Sequence, residues 1–323
     1  MVPSGRPPIG LVRMFLLIAL LVVALPAAAG ASTVQVAPFR EVPDPSGAPG
    51  CAKIMLCPQD MVVFSAAPGE ANDISITAEM LTSTEPVPRS RFVVRDRSLT
   101  PMQAGTGCER IETSAVACVA GTLGPVDLGD LGDRILTLTS GGDVVSGGAG
   151  DDLLSVTGGA EANGGDGDDI VVGQKGKGGD GDDVLSGTSG EGGAGDDILR
   201  CFPAFAFCDL EGGTGNDRLI GGGGQNMLSG GGGRDSLAGR GGNDTLTGGS
   251  GNDRLRGGGG QDKLRGGAGS DRLDARELRS RGERTAKDNA DCGTGRRDRA
   301  LASHGDVVRR CELVVRERRR ISS

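Results

Sequence analysis

Residues 212–274 read GGTGNDRLI GGGGQNMLS GGGGRDSLA GRGGNDTLT GGSGNDRLR GGGGQDKLR GGAGSDRLD, seven nonapeptides joined without an insertion. Positions 1 and 4 are glycine in every unit, and position 8 is always leucine. Position 6 is aspartate in every unit except the second, which has Asn226. A fixed short period of this kind predicts a solenoid, in which each repeat buries its apolar side chain against its neighbours.

Each nonapeptide divides into a turn and a short strand. Glycine adopts positive φ without strain, so the six glycine-rich residues predict a turn. The last three residues predict a strand whose leucine points inward while positions 7 and 9 point outward. Two units then form one coil, and residues 18 apart stack about 4.8 Å apart in parallel ladders. The sequence therefore predicts an all-β fold, a right-handed parallel β-roll or β-solenoid of GGxGxDxUx repeats.

This stacking brings the position-6 side chains into register along the two edges of the roll. Carboxylates this close repel by about 3 kcal/mol per pair at an effective dielectric near ~20, so a cation must neutralise them. Carboxylate and carbonyl oxygens are hard donors, which favours Ca²⁺ over a soft or borderline metal. One edge is predicted to carry Asp217, Asp235, Asp253 and Asp271, and the other Asn226, Asp244 and Asp262.

The same motif continues less regularly upstream. Units begin at Gly147, Gly164, Gly178 and Gly192, and the last three are 14 residues apart at position 6. This spacing predicts coils that have one full calcium turn and one tight turn, the latter at residues 173–176 and 187–190. The position-6 acids of these four units are Asp152, Asp169, Asp183 and Asp197.

The repeats resemble the parallel β-roll of the RTX (repeats-in-toxin) family, whose loops bind Ca²⁺ between successive coils. In that family the position-6 aspartate and loop carbonyls are ligands. Asn226 departs from the pattern, and its neutral amide should weaken the site. The metal ligands that the resemblance implies are Asp152, Asp169, Asp183, Asp197, Asp217, Asn226, Asp235, Asp244, Asp253, Asp262 and Asp271. The roll is expected to be disordered without Ca²⁺, since metal binding would be part of folding.

The chain is expected to divide into a signal peptide (1–29), an N-terminal β region (30–126), the roll (127–274) and a C-terminal tail (275–323). Arg6 and Arg13 precede an apolar run and small residues, which is typical of a secretory signal peptide. Cleavage after Ala29 or Ala31 fits equally well. The apolar run is too short to span a bilayer, so the mature chain is expected to have no membrane span and to be extracellular.

The N-terminal β region is predicted to contain strands at 61–65, 74–77 and 92–95 and a turn at 68–73. It is interpreted as a cap over the open end of the roll. An adhesive or substrate-binding module is the alternative.

The C-terminal tail is predicted to be basic and clasped by a disulfide, and it resembles the Cys-clasped tails of secreted bacterial RTX-like proteins. Residues 276–285 have helical composition. Asp298 lies in a repeat-like stretch that has one residue too many, so it is not a secure ligand. The run 316–320 is interpreted as a solvated charge run, with contact to an anionic cell-wall polymer as the alternative.

All eight cysteines follow the predicted signal peptide, which favours disulfides in an oxidising compartment. Zinc is the weaker alternative, because no C-x-x-C occurs and His304 is the only histidine. The loop 202–207 holds three of the seven phenylalanines and is interpreted as a plug on the roll, or alternatively as a partner-binding knob. Pairing by locality, one guess among several, gives Cys51–Cys57, Cys108–Cys118, Cys201–Cys208 and Cys292–Cys311.

Charge and composition narrow the function classes. Residues 127–271 carry 24 acidic and 11 basic residues, which argues against nucleic acid as a partner. No H-E-x-x-H or G-x-S-x-G motif occurs, and His304 has no nucleophile motif beside it, so no enzyme is predicted. Two classes remain: a secreted calcium-binding structural protein, and a calcium-dependent adhesin that binds a cell envelope or extracellular polymer.

Overall fold

The computed structural model describes residues 33–37, 61–66, 69, 71–80, 90–97, 102–104, 108–112, 114–120, 122–138, 144–202, 207–276 and 286–316. Within these ranges the protein is all-β, and no helix long and apolar enough to cross a membrane occurs among them. The predicted signal peptide, the Cys51–Cys57 pair and the predicted helical stretch beyond Arg276 lie outside the described residues.

From β8 onward the strands alternate between two sheets that face one another. The first sheet has the order β28-β26-β24-β22-β20-β18-β16-β14-β12-β10-β8-β2-β1-β5, and the second has the order β29-β27-β25-β23-β21-β19-β17-β15-β13-β11-β9-β3-β4-β7-β6. The strands are β1 (Thr33–Ala37), β2 (Met61–Ser65), β3 (Asp73–Met80), β4 (Ser90–Asp96), β5 (Gln103–Ala104), β6 (Cys108–Glu112), β7 (Ala115–Ala120), β8 (Thr122–Asp127), β9 (Arg134–Leu138), β10 (Val144–Ala149), β11 (Leu153–Val156), β12 (Glu161–Asp166), β13 (Ile170–Val172), β14 (Lys175–Asp180), β15 (Val184–Gly187), β16 (Ser189–Ala194), β17 (Ile198–Cys201), β18 (Phe207–Thr214), β19 (Arg218–Ile220), β20 (Gln225–Gly232), β21 (Ser236–Gly241), β22 (Thr245–Ser250), β23 (Arg254–Gly259), β24 (Lys263–Ala268), β25 (Arg272–Ala275), β26 (Asn289–Gly293), β27 (Arg299–Ala302), β28 (Val307–Arg309) and β29 (Leu313–Arg316).

The long coils of residues 208–275 follow the 18-residue period that the nonapeptides predict. In the first sheet, Leu228 pairs in parallel register with Leu246, and Leu246 with Leu264. All three leucines are buried, and the residues on either side of them face outward. The position-8 leucines of both sheets therefore form a continuous core, which confirms the predicted parallel solenoid.

The short coils of residues 161–201 have the predicted 14-residue period. In the second sheet, Leu185 pairs in register with Leu199. The N–H groups of Thr188 and Ser189 both donate to the carbonyl of Gln174, at 3.1 and 2.9 Å, and this closes the tight turn. The second tight turn is therefore held by main-chain hydrogen bonds to the coil before it.

The short coils place glycine where the long coils place leucine on the first sheet. A Cβ at Gly176 would lie 2.9 Å from Cγ1 of Val171, which belongs to the opposite sheet. This separation is too small for a real carbon contact, so at Gly176 the side chains of the second sheet fill the core, and the first sheet contributes the small side chain of Ala162 in β12. In the short coils the large core side chains thus come from the second sheet.

The N-terminal strands extend both sheets and then change direction. β2 and β3 pair in parallel with β8 and β9, which begin the coils. Beyond them, β1 pairs antiparallel with β2, and β4 pairs antiparallel with β3 and β7. The predicted strands at 61–65, 74–77 and 92–95 are confirmed within β2, β3 and β4. This antiparallel end stops the parallel stacking.

Disulfides clasp two places in the coils. Cys201 is bonded to Cys208, and Cys292 is bonded to Cys311, which confirms two of the predicted pairs. Cys108 is disulfide-bonded, and its backbone lies directly opposite that of Cys118 in the β6–β7 pair. Of the loop between Cys201 and Cys208, residues 203–206 lie outside the described residues, so the plug and the knob both stay predictions.

The sheets continue past residue 274 into two further coils, β26 to β29. The last described strands leave apolar side chains exposed, among them Val307, Leu313 and Val315. β28 and β29 therefore form an end of the solenoid that no other described strand covers.

Candidate metal centre

One edge of the solenoid carries a continuous column of buried polar side chains. The backbone N–H of each column residue donates to Oδ1 of the next residue in the column, at 2.6–2.9 Å in the coils. The N–H of Asn72 makes the same bond to Oδ1 of Asp133. The first column runs in order through Asn72, Asp133, Asp152, Asp169, Asp183, Asp197, Asp217, Asp235, Asp253, Asp271 and Asp298.

A second column occupies the opposite edge, and only in the C-terminal part of the molecule. Its N–H to Oδ1 bonds measure 2.8–3.2 Å. The second column consists of Asn226, Asp244, Asp262, Asp288 and Asp306. All eleven residues that the sequence singles out are at most 2 % exposed, and the structure brings them into these two columns.

The hydrogen bonds reduce the electrostatic repulsion that is expected between successive carboxylates of a column. The sequence suggests bare carboxylates that repel one another in a stack. In the structure a main-chain N–H lies between successive carboxylates and satisfies Oδ1 of each. Charge-assisted hydrogen bonds of this kind stabilise the carboxylate form, so the repulsion is smaller than the stacking distance alone implies.

The second carboxylate oxygen is different, because it is buried and has no hydrogen-bond partner among the described residues. Buried polar atoms are nearly always satisfied in native proteins, so a whole row of exceptions requires an explanation. The Oδ2 atoms concerned belong to Asp133, Asp152, Asp169, Asp183, Asp197, Asp217, Asp235, Asp244, Asp253, Asp271 and Asp298.

Except at Asp133 and Asp298, each of these oxygens lies beside the position-1 glycine of its own unit. A Cβ added to Gly147 would lie 2.0 Å from Oδ2 of Asp152 and 2.7 Å from the carbonyl oxygen of Gly164. At Gly178 the corresponding distances to Oδ2 of Asp183 and the carbonyl oxygen of Gly192 are 2.0 and 2.5 Å. Position 1 is therefore glycine because any side chain would occupy the space between carboxylate and carbonyl.

The oxygen atoms that could coordinate a metal ion at each such position are one carboxylate oxygen and main-chain carbonyl oxygens. In the described ranges, no three His, Cys, Asp or Glu side chains converge as a metal-binding cluster. Any ion at these edges would thus take much of its coordination from carbonyl oxygens. This set of hard oxygen donors suits Ca²⁺, which accepts carboxylates and carbonyls in flexible geometry.

Burial changes the protonation of the column. Burial raises the pKa of Asp152 to about 6, although the N–H of Asp133 lowers it. The pKa of Asp183 and that of Asp197 are raised to about 7, again mainly by burial and further by neighbouring carboxylates. A proton therefore competes for the same oxygens that a cation would bind.

Asn226 is the exception in the second column, because its amide is fully engaged within the protein. Its Nδ2 donates to the carbonyl oxygens of Gly224 and Gly239, at 2.7 and 3.2 Å, and to Oδ1 of Asp244 at 2.8 Å. Its Oδ1 accepts from the N–H of Gly222 at 3.1 Å. The amide N–H groups of Asn226 thus lie among the carbonyl oxygens, at the place where other column residues have an unsatisfied Oδ2. We call each residue of a column a rung.

The columns include residues that the glycine pattern did not reveal. Asp133, Asp288 and Asp306 each begin an Asp-x-apolar triplet, and Asn72 begins the related triplet Asn-Asp-Ile. This triplet corresponds to positions 6 to 8 of the nonapeptide, and it persists where the glycines are lost. Asp298, regarded as insecure from its spacing, lies in the first column 27 residues after Asp271.

Comparison with known proteins supports the repeat assignment. The family model of the RTX calcium-binding nonapeptide repeat (4 copies) matches residues 129–160, 209–237 and 238–273. No curated protein and no solved structure matches the chain. The matched segments include Asp133 and Asp152 of the first column and the long coils, where the predicted nonapeptides lie. The three matched segments of the β-solenoid are therefore RTX-type calcium-binding nonapeptide repeats.

Proposed function

We propose that this chain is a secreted calcium-binding protein whose β-roll folds around several Ca²⁺ ions held between stacked glycine- and aspartate-rich loops. The observation that carries the proposal is the row of buried Oδ2 atoms without partners in the described residues. Leaving a buried polar atom unsatisfied costs about 1–3 kcal/mol. A cation at each rung would supply the missing interaction.

In this proposal each part of the loop has a separate role. The N–H of one rung holds Oδ1 of the next, and so fixes the rotation of that carboxylate. Oδ2 then faces the position-1 glycine and the carbonyl of the following coil. Bound Ca²⁺ would supply positive charge between these oxygens. The proposed ligands are Asp152, Asp169, Asp183, Asp197, Asp217, Asp235, Asp244, Asp253, Asp262 and Asp271, and Asn226 contributes at most a weak site.

Calcium binding and folding are expected to be coupled. Without the ion, the folded chain must bury a row of unsatisfied oxygens, and the unfolded chain need not. Far-UV circular dichroism with EGTA and with millimolar Ca²⁺ tests this, because the chain has no Trp or Tyr to report by fluorescence. The β spectrum should be lost with EGTA and restored by Ca²⁺. An unchanged spectrum in EGTA would contradict coupled folding.

Isothermal titration calorimetry measures how many ions bind and how tightly. Several ions per chain are expected, since the columns contain many equivalent rungs. Magnesium provides the control, because it demands near-ideal octahedral geometry and gives up its waters reluctantly. A titration in which Ca²⁺ binds no more tightly than Mg²⁺ would contradict a calcium-selective site.

The extracellular location is also a proposal. Two disulfides, Cys201–Cys208 and Cys292–Cys311, support an oxidising compartment.

We infer no catalytic role for the paired aspartates of the loops. They recur in successive coils, as repeated metal ligands would, and not once, as a catalytic pair would. A calcium-dependent surface-binding module is the second candidate, favoured by exposed apolar side chains such as Leu136 and Ile170 on the second sheet. Pull-down on cell envelopes with and without Ca²⁺ distinguishes the two.

A further inference from the structure

Three arginines from successive coils surround one cavity on the outer face of the second sheet. Arg218 lies in β19, Arg240 near the end of β21, and Arg256 in β23. All three side chains are exposed, and the cavity between them measures about 220 Å³. The remaining lining residues are Ile220, Ala238, Gly257 and Gly258.

The depression comes from a small residue between two larger ones. Ile220, Ala238 and Arg256 pair in register across the three strands. Alanine at the middle position leaves a gap on the sheet surface that a longer side chain would fill. The arginines thus border a recess, and their guanidinium groups are not simply spread over a flat face.

The charge of this recess is only partly offset within the described part of the chain, where Asp274 interacts electrostatically with Arg256. None of the three arginines makes an ion pair there. Asp274, which pairs in register with Arg256, is held by Arg276 through hydrogen bonds of 2.7 and 2.8 Å. The cavity itself is lined by no carboxylate.

Arg240 stands in a backbone conformation that favours glycine. It occupies position 2 of its nonapeptide, where each of the other six units has glycine. Its φ is 79°, in the left-handed region that L-residues rarely adopt. An arginine at such a position, with its side chain at a cationic recess, points to a role beyond folding.

We propose that this recess binds an oxyanion of the phosphate or sulfate class. The guanidinium group is planar, permanently charged and able to donate two parallel hydrogen bonds to such a group. Three of them on successive coils would surround an anion without an opposing carboxylate. The site is separate from the two edges that carry the proposed calcium ligands. It rests on the proposed function, because the three strands that carry the arginines come together only in the folded roll.

The test uses the full mature chain saturated with Ca²⁺, with sodium sulfate as the first probe and dextran sulfate as the second, at constant ionic strength. Calorimetric titration should show binding that weakens about tenfold in Arg218→Gln and in Arg256→Gln. Arg240→Gly should lose affinity similarly while folding at least as well, because it restores the glycine of the repeat. The matched control is Lys263→Gln, an exposed cation on the opposite sheet, and it should change affinity by less than about twofold.

Each outcome decides the question. Arginine-dependent binding of free sulfate assigns the site to a small oxyanion, and arginine-dependent binding of dextran sulfate alone assigns it to a polymer-borne one. If neither probe binds, or if Lys263→Gln weakens binding as much as Arg240→Gly, the inference is wrong. Circular dichroism on the same samples separates the two proposals: a folded protein without anion binding overturns this inference alone, and a protein unfolded in Ca²⁺ overturns both.

Discussion

The short coils (161–201) and the long coils (208–275) are built from the same motif but differ in their edges. The short coils have a column of aspartates on one edge and tight turns on the other. The long coils carry columns on both edges, because 18 residues provide two full loops. Coil length therefore sets how many full glycine-rich loops each turn of the solenoid contains. The core and the sheet pairing continue from the short coils into the long coils.

The two regions also differ at position 5, which is exposed beside each buried rung. The short coils have Asp168, Asp182 and Asp196 there, linked by N–H to Oδ1 bonds of 2.7–2.9 Å. The long coils use neutral residues such as Asn216 and Asn252, which accept the same type of bond, and the cationic Arg234. The short coils thus gather more negative charge around fewer columns, and we expect them to depend more strongly on cations.

The largest effect on stability is expected from placing a side chain at a position-1 glycine, beside the carboxylate of a column residue. Gly178→Ala places a Cβ 2.0 Å from Oδ2 of Asp183, and Gly248→Ala places one 2.3 Å from Oδ2 of Asp253. Each should cost about 3 kcal/mol or more, because the rigid coil cannot move aside. Gly223→Ala is the control, since nothing lies within 4 Å of its Cβ position, and it should change stability by less than about 0.5 kcal/mol.

Urea unfolding in saturating Ca²⁺ measures these differences. If Gly178→Ala were as stable as Gly223→Ala, the space beside the carboxylate would not be needed. A cost in the short coils alone would show that the long coils hold their ions differently.

The next effect concerns the paired aspartates of the short coils. Asp183→Asn removes a buried rung, whereas Asp182→Asn removes its exposed neighbour with the same change in charge. Calorimetry should show at least one fewer Ca²⁺ ion in Asp183→Asn and an unchanged stoichiometry with slightly weaker affinity in Asp182→Asn. Equal losses in both variants would indicate that calcium responds to total charge and not to the column.

The pH dependence should also separate the two regions. With pKa values near 7, Asp183 and Asp197 hold a proton in the metal-free fold at pH values where the unfolded chain has lost it. The metal-free fold is therefore most stable in acid and loses stability as the pH rises from about 4 to about 7. Calcium affinity should move in the opposite direction, because the ion displaces these protons.

Calcium affinity is accordingly expected to be about tenfold or more weaker at pH 5.5 than at pH 7.5. The decline should begin at a higher pH at Asp183 and Asp197 of the short coils than at Asp253 of the long coils or at Asp169, whose pKa values are raised only to about 6. Titrations in buffers of different ionisation enthalpy measure proton release directly. Binding without proton release at pH 6 would contradict the raised pKa values.

The smallest effect is expected at Asn226, where the second column begins. Asn226→Asp removes the amide that donates to Gly224 and Gly239, and so it leaves a buried carboxylate in need of a cation. The variant should bind one more Ca²⁺ ion than the natural chain. In low calcium its long coils should be about 1 kcal/mol less stable, as is typical of one lost buried hydrogen bond. An unchanged stoichiometry would mean that the surrounding carbonyls cannot accept an ion.

The repeat period made much of the architecture predictable. Seven nonapeptides in register predicted the leucine core and the two edges, and the 14-residue spacing predicted the tight turns. The column residues Asn72, Asp133, Asp288 and Asp306 could not be predicted from glycines, because the sequence before them lacks the G-G-x-G pattern. Only the short Asp-x-apolar triplet, too common in sequences to be specific, marks them.

Two features depend on geometry that the sequence does not contain. The internal hydrogen bonds of Asn226 follow from the direction of the carbonyls of Gly224 and Gly239, which only the wound coil defines. The place of Asp298 follows from a longer connection after Asp271, which leaves the register of β25 and β27 intact. At Asp298 the three-dimensional coil thus tolerates a departure that strict counting of nine residues would reject.

The end of the solenoid at β28 and β29 has a consequence for association. An uncovered β edge offers unpaired main-chain groups on which a second molecule can add its own strand, the route to fibres. Here Arg309 and Arg316 flank the apolar side chains of the terminal strands. Two such ends brought together would oppose like charges, so we expect the arginines to discourage polymerisation through this edge.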